Sequence, residues 1–500
     1  MRWPTFPRRI DTDTIARWFV LSGLVFLALG GALAVIMRWQ HAFPGQPLPV
    51  VGSLLFPGSD GVVTPPAYTA LFTSHGLIMI FFAATPILIN GIGTFLVPRE
   101  IGAADGMALP GLTLASFLFT VAGQACALVS LVVPNAPSAG WTNFPPLATG
   151  SGAPGPGQTW VVVAILFVAA AATTGGAGVV ATVIARRRAG LGFLDLPLSV
   201  WGYLLTGALN VLFAPILFGG TLLLLVDRLS GSDLFGGAGG DPLLYQHLFW
   251  LFGHPEVYIL VLPVWGLIGT LVARYAGKPP FFYRGSVLAM ISVASMSGLV
   301  YGHHMFRSGL TPLVGSGFEA LTLLISAPGT LLFANWLATL WRGSLRLEPP
   351  MLFALGGMVV IAAGGLSGIL LATVTTDVWL HDSMWVVGHF HLMMATAVLM
   401  GIFAGIHLTF EEMFGRVMDR RIAAIHFAGT LVFSLITFGG LLAAGHAGQP
   451  RRYADSGAFE FLAAEQPLGR HVSYAAFILA GFQLLFFIGL LTARKRPAGE

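Results

Sequence analysis

Apolar runs of about 20 residues, the length that crosses a bilayer as one helix, recur twelve times in this 500-residue chain. They lie at roughly 15–37, 68–97, 109–133, 158–185, 196–226, 243–273, 286–306, 316–341, 351–373, 383–409, 423–446 and 471–493. Inside hydrocarbon every backbone N–H and C=O must find its partner within the segment, so such runs admit helices and little else. The predicted fold class is all-α: a polytopic membrane protein of twelve transmembrane helices, with one domain over residues 1–500 and no soluble domain. Composition agrees, at 56% hydrophobic and 9% charged, against roughly 25% charged in soluble domains.

An even number of spans puts both termini on one side. All but six of the 25 lysines and arginines fall on that side; the exceptions are Arg38, Arg228, Arg307, Arg451, Arg452 and Arg470. The positive-inside rule therefore places both termini in the cytoplasm, with Arg2, Arg8, Arg9 and Arg496 among the inner charges. Topology accounts for the basic balance without a nucleic-acid partner. The first run is longer than the apolar core of a cleavable signal peptide, so it is read as a retained span. Polar, Gly/Pro-rich outer loops at about 38–67, 134–157 and 447–470 are suited to covering a site or docking a partner. A single cysteine, Cys126, excludes an internal disulfide, a two-cysteine copper site and a CxxCH haem attachment.

Ionisable groups at bilayer depth are costly and mark function. Residues 241–260, DPLLYQHLFWLFGHPEVYIL, place His254, Glu256 and Tyr258 in the sixth span. As a helix, His254 and Tyr258 share a face at i and i+4, while Glu256 points about 200° from His254. His75 lies about seven residues into the second span from outside, and His389 and His391 six to eight residues into the tenth, roughly 10 Å deep at ~1.5 Å per residue. His303 and His304 fall near the outer end of the seventh. All six histidines share the outer half of the bilayer.

Facing then sorts them. His389 and His391 are about 200° apart, so they serve two centres on opposite faces, whereas His303 and His304 can both reach a centre served by His254. Three imidazoles suit copper. A lone His389 suits a five-coordinate haem with one open side, and His75 with His391 suits a closed six-coordinate haem. The remaining seven histidines, His41, His247, His381, His407, His426, His446 and His471, are expected mostly at helix ends, in interfacial structural roles. A twelve-helix secondary transporter would fit composition alone, but it would show internal repeats and leave the six histidines unexplained.

The stretch at 241–260, YGHHMF at 301–306, HDSMWVVGHFH at 381–391, TSHGLIMIFF at 73–82 and PRRY at 450–453 closely resemble subunit I of the haem-copper oxygen reductases, A family, which includes cytochrome c oxidase. The resemblance runs through all twelve spans in order. It implies a low-spin haem on His75 and His391, a high-spin haem on His389, and copper on His254, His303 and His304, as depth and facing suggest. It further implies that Tyr258 is bonded covalently to a copper-ligand histidine and supplies an electron and a proton. By the same resemblance Arg451 and Arg452 hold haem propionates, Arg38 meets the formyl group of a haem A, and His381 with Asp382 binds Mg2+ or Mn2+ at the interface with subunit II. Trp250 and Gln246 match the family pattern as well.

The implied protein is the catalytic subunit of a terminal respiratory oxidase in a bacterial inner membrane, reducing O2 to water. Its expected partners are subunits II and III, lipid, and cytochrome c or quinol as donor; a quinol oxidase and a nitric oxide reductase of the same superfamily remain alternatives. Proton supply is where the chain departs from the family. Glu256 matches a buried proton-passing glutamate, and Asp105 resembles the aspartate at the inner mouth of its channel. However, Gly106 is an extra residue and the asparagines usual after it are missing. Leu332 stands where a channel lysine is usual, and no lysine occurs between Lys278 and Lys495. Thr322, Ser326 and Thr330 are the candidates for a substitute water chain.

Overall fold

The structure is a computed structural model that describes residues 11–103, 105–237 and 239–495; Arg2, Arg8, Arg9 and Arg496 of the inner charge set lie outside them. Among these residues twelve principal helices follow in order: α1 Thr12–Ala42, α2 Pro65–Glu100, α3 Pro110–Val132, α4 Pro156–Ala185, α5 Leu198–Ser230 and α6 Pro242–Ala276. Then come α7 Tyr283–Ser297, α8 Pro312–Leu340, α9 Pro349–Ala372, α10 Met384–Phe414, α11 Arg420–His446 and α12 Gln466–Leu491. Among the described residues, eleven helices are long and apolar enough to cross a membrane. The exception is α7. Its chain leaves the α-helix at Ser297 and re-forms as a 3-10 turn over Tyr301–Met305, so the expected run 286–306 is two pieces rather than one helix.

Local chemistry sets the boundaries. Proline opens α2, α3, α4, α6, α8 and α9, where its missing N–H costs no helical bond. Side-chain caps do the rest: Asp241 accepts from the N–H groups of Leu243 and Leu244 at 3.0 and 3.1 Å, and Ser383 from Trp385 N–H at 3.1 Å. Gly231, Gly277 and Gly415 end α5, α6 and α10 in the left-handed region, with φ of 67°, 66° and 64°, which a residue without Cβ adopts freely. Two helices widen to π geometry: α2 over Ile78–Ile92, around Pro86, and α10 over His391–Thr396. Such insertions cluster at functional sites, and here both adjoin the histidines of one pair.

The bundle has an inner set and an outer set. In their most apolar stretches α2, α6 and α10 are 89, 78 and 67% buried, against 22% for α8 and 17% for α12. The three buried helices are those that carry His75, His254, His389 and His391. A seven-residue helix, Val374–Leu380, links α9 to α10. Beyond the ends of α10 and α12, β1, Arg416–Val417, pairs antiparallel with β2, Arg494–Lys495.

Candidate functional site

The site is built first from α6. His254 is buried and meets His303 and His304 from the 3-10 turn, one ligand nitrogen from each lying within 4.8 Å of the others. His254 Nδ1 and His304 Nε2 are 3.0 Å apart. Neutral ring nitrogens at that distance either share one hydrogen or aim both lone pairs at a cation. The third ring is oriented by α8, since His303 Nδ1 bonds the Thr322 hydroxyl at 3.0 Å and that hydroxyl itself donates to Phe318 carbonyl at 2.6 Å. Thr322 is thereby the acceptor for His303, which puts the ring proton on Nδ1 and frees Nε2 for a metal. Trp250 stacks flat on His304, centroids 3.8 Å apart at 2°, and walls the cluster off from the α6 side.

The donor set, three imidazoles with no thiolate, fits copper. One further atom is telling: buried His254 Nε2 has no partner, and its ring lies 4.8 Å from the ring of Tyr258. An unsatisfied buried nitrogen beside a phenol is the arrangement a covalent link between the two would need.

The other three histidines point to two different places. His75 on α2 and His391 on α10 face each other with ring planes 7° from parallel and centroids 6.4 Å apart. That is too wide for ring contact but suits one metal between two nitrogens, each bond ~2 Å. Their far nitrogens are tied down, His75 Nδ1 to Gly30 carbonyl at 2.9 Å and His391 Nδ1 to Val387 carbonyl at 2.8 Å, so both Nε2 atoms are free. His389 points the opposite way, to α9, where Nδ1 bonds the Gly364 carbonyl and the Ser367 hydroxyl at 3.0 Å each. α9 approaches so closely that a Cβ on Gly368 would sit 2.7 Å from His389 Cε1. Each of these residue sets fits the haem read from the sequence.

Around these groups Arg38 is half-buried on α1, within electrostatic reach of Tyr68, His75 and His391. Glu256 is buried, with 4% of its surface exposed, on the other side of α6. In the connections beyond α9 and α11 Arg451 is ion-paired with Asp382, and its buried Nε lacks a partner. Arg452 lies over Phe72 at 5.9 Å. Burial, followed by the charge of Arg451, pulls Arg452 down to about 10, with Asp382 opposing; Arg452 thus keeps its charge at neutral pH. His381 gives Nδ1 to Asp377 at 2.9 Å, leaving Nε2 for a cation, but the Asp382 carboxylate is already engaged by Arg451. Gln246 accepts from Ser308 at 3.2 Å.

In the connection between α2 and α3 Asp105 is exposed and ion-paired with Arg186 at 3.4 Å. Gly106 takes φ 75°, so the extra residue is absorbed as a left-handed turn. Ser326 and Thr330 are not part of an interior route: both are exposed and donate to carbonyls of their own helix, at 2.5 and 2.9 Å. Leu332 is 1% exposed and seals that part of α8. Of the seven remaining histidines, His407 and His426 depart from the helix-end expectation of structural contact with the interface; they pack against buried Phe353 at 5.5 and 5.3 Å.

Several residues that shape the site were not singled out in the sequence. Ser367 and the two glycines at 364 and 368 lie in a GGLSG run, a signal only that something packs close to α9. Asp377 sits four residues before His381, a spacing that does carry information on a helix. Arg228, in the last turn of α5, donates to the carbonyls of Ala148, Thr149, Ala153 and Gly155 at 2.5 to 3.2 Å. It pins the outer loop whose Trp141 lies edge-on to Trp250.

Comparisons with known proteins give the family and the fold. Residues 14–482 match the family described as Cytochrome C and Quinol oxidase polypeptide I. The chain is similar to the alternative cytochrome c oxidase subunit 1 of Bradyrhizobium diazoefficiens, 35% identical over 507 residues that cover 98% of this chain and 83% of the relative. It is 35% identical to the probable cytochrome c oxidase subunit 1-beta of Nocardia farcinica, over 95% of this chain and 79% of the relative. It is 34% identical to cytochrome c oxidase subunit 1 of Cereibacter sphaeroides, over 95% of this chain and 88% of the relative. Among solved structures, a heme-copper terminal oxidase dimer determined by cryo-EM shares the fold, with a TM-score of 0.81 and 19% identity over 96% of this chain and 83% of the other.

Proposed function

The chain belongs to the cytochrome c and quinol oxidase polypeptide I family, a multi-pass membrane protein and the catalytic subunit of a terminal oxidase, and from that premise we propose which residues carry its chemistry and what feeds it. His75 and His391 hold the low-spin haem, His389 the high-spin haem, and His254, His303 and His304 the copper. The observation that carries this reading is the three-histidine cluster with its ring nitrogens converged and its outer nitrogen on His303 tied back by Thr322. When bound, the haems and copper supply electron transfer and the reduction of O2 to water.

The protein's own part is orientation and proton handling. Hydrogen bonds to Nδ1 of His75, His303, His389 and His391 fix both the tautomer and the ring plane. Trp250 and the apolar helices around it keep bulk water from the cluster. Tyr258, its ring 4.8 Å from that of His254, would hold the phenolic proton at the site and, once the metals are bound, supply that proton and an electron to the reduction of O2. Glu256 holds a proton in the buried half of α6 on the side facing away from the cluster. Arg451 and Arg452 receive the haem propionates, as planar donors facing carboxylates, and Arg38 donates to the formyl oxygen of a haem A.

Cytochrome c, delivered through subunit II, is the electron donor; the names of the curated relatives support it over quinol. His381, oriented by Asp377, is the stronger of the two ligands for Mg2+ or Mn2+ at the subunit II interface, with Asp382 contributing only the oxygen that Arg451 leaves free. Subunit III completes the complex, and the location is a bacterial inner membrane with both termini cytoplasmic. Oxygen uptake by the purified complex, driven by reduced cytochrome c or by quinol, is the test. Uptake with cytochrome c is expected, together with loss of copper in His303→Ala and loss of uptake with unchanged haem spectra in Tyr258→Phe. Nitric oxide turnover without oxygen uptake would sink the reading.

A further inference from the structure

The inner half of α5 carries Ser199, Tyr203, Thr206 and Asn210 at steps of four, three and four residues, one face of the helix. They are 0, 1, 0 and 3% exposed. Buried polar side chains in membrane helices serve as interhelical glue or line a route for ions and protons, and three features here favour the second use.

First, the face begins at a carboxylate. Glu100, at the inner end of α2 and partly open to solvent, is hydrogen-bonded to the Ser199 hydroxyl. Ser199 is also paired with Thr270 of α6, whose hydroxyl donates to Ser199 Oγ at 3.1 Å while accepting from Ser199 N–H at 3.0 Å. Second, the face ends beside the catalytic helix: Thr206 donates to Ile259 carbonyl at 2.9 Å, and Ile259 lies within one turn of Glu256. Tyr203, between them, reaches the Leu88 carbonyl of α2 at 3.1 Å. Third, Asn210 Oδ1 is buried without a partner, an acceptor with nothing to accept from, which marks a place for water. Successive groups on the face are about one turn apart, ~5.4 Å, a gap that one water bridges.

We infer that Glu100 is a second proton entry, separate from Asp105, and that the polar face of α5 carries its protons to the middle of α6. The inference rests on the oxidase reading above. In each event the Glu100 carboxyl passes its proton to Ser199 Oγ as that hydroxyl releases its own to the next oxygen or water, and the carboxylate is refilled from the inner solution. One proton moves and every group returns to its starting state. Arg274 of α6 lies within electrostatic reach of the Glu100 carboxyl. Asp105, by contrast, is an exposed carboxylate already engaged with Arg186, and the asparagines expected beyond it are missing from the sequence.

The test is proton uptake after an oxygen pulse, followed with a pH indicator in the solubilised holo-complex, for Glu100→Gln, Glu100→Asp and Tyr203→Phe. Haem spectra are recorded alongside to verify intact sites. The expected result is unchanged spectra with uptake slowed by ~10-fold or more in Glu100→Gln and Tyr203→Phe, an enlarged solvent isotope effect in D2O, and partial rescue in Glu100→Asp. A merely structural role would move neither the isotope effect nor the rescue. Wild-type uptake in Glu100→Gln would overturn the inference and leave the oxidase assignment standing. Slowing in Glu100→Gln but not in Tyr203→Phe would overturn the α5 route. Wild-type complex that takes up no protons on an oxygen pulse would sink the oxidase reading itself.

Discussion

At the scale of single residues, Gly368 decides how near α9 can come to His389. A Cβ there would stand 2.7 Å from Cε1 of the ring, so Gly368→Ala must push the imidazole away or hold the helices apart, an overpacking that costs ~1–3 kcal/mol. The ring would also lose its bonds to Gly364 and Ser367, and with them its orientation. Loss of the high-spin haem signal is expected, with the low-spin signal from the His75 and His391 side retained; visible and EPR spectra check it, and a full high-spin signal would refute it. The histidines themselves were legible in the sequence because an imidazole at membrane depth has few other reasons to be there. What orients them was not. Gly364, Ser367 and Thr322 meet His389 and His303 only through tertiary contact between helices, and no periodicity in α10 or in the 3-10 turn announces them.

At the scale of elements, α8 shows what one residue does to a whole helix. Leu332, 1% exposed, packs where a lysine was expected from the family, while the hydroxyls of Ser326 and Thr330 turn outward and bond their own backbone. Putting the lysine back would place a charge among apolar side chains, at a cost of ~3 kcal/mol relative to leucine at a helix centre. Leu332→Lys is therefore expected to give less haem-loaded complex with a lower thermal midpoint, whereas Leu332→Met, which conserves volume, costs under ~1.5 kcal/mol. A lysine variant as stable as wild type would mean that water already reaches this part of α8. Helix positions were readable to within a few residues because hydrocarbon leaves the backbone no other option, and capping prolines and glycines stand at the ends. The seventh span was misread as one helix from 286 to 306 because its residues stay apolar through the point where the backbone changes to a 3-10 turn; hydropathy reports burial, not hydrogen-bond register.

At the scale of the whole molecule, the three most buried helices, α2, α6 and α10, bring residues as far apart in sequence as His75 and His391 to one depth, and that much followed from span counting and the distribution of basic residues. The outer closure did not, since loops lack both the length constraint and the periodicity that make spans readable. It is a strap between two connections: Arg451 N–H donates to Asp382 carbonyl at 2.9 Å, Met384 N–H to Gln449 carbonyl at 2.8 Å, and the side chains of Arg451 and Asp382 are ion-paired. Burial pushes the Asp382 carboxyl up, but the positive charge of Arg451, followed by His381 and Arg452, outweighs it and holds the group below its ordinary value of 3.8. A carboxyl lowered in the folded state adds stability above its unfolded value, and that contribution disappears as pH falls from 3.8 through the lower folded value. The outer strap should therefore loosen in acid. Thermal inactivation midpoints measured from neutral pH to below 3.8 should fall more steeply for wild type than for Asp382→Asn, which has no carboxylate to protonate and is expected to start from a lower midpoint at neutral pH. Parallel acid profiles for the two proteins would mean that the backbone bonds of the strap, and not its ion pair, hold the outer face over the haem sites.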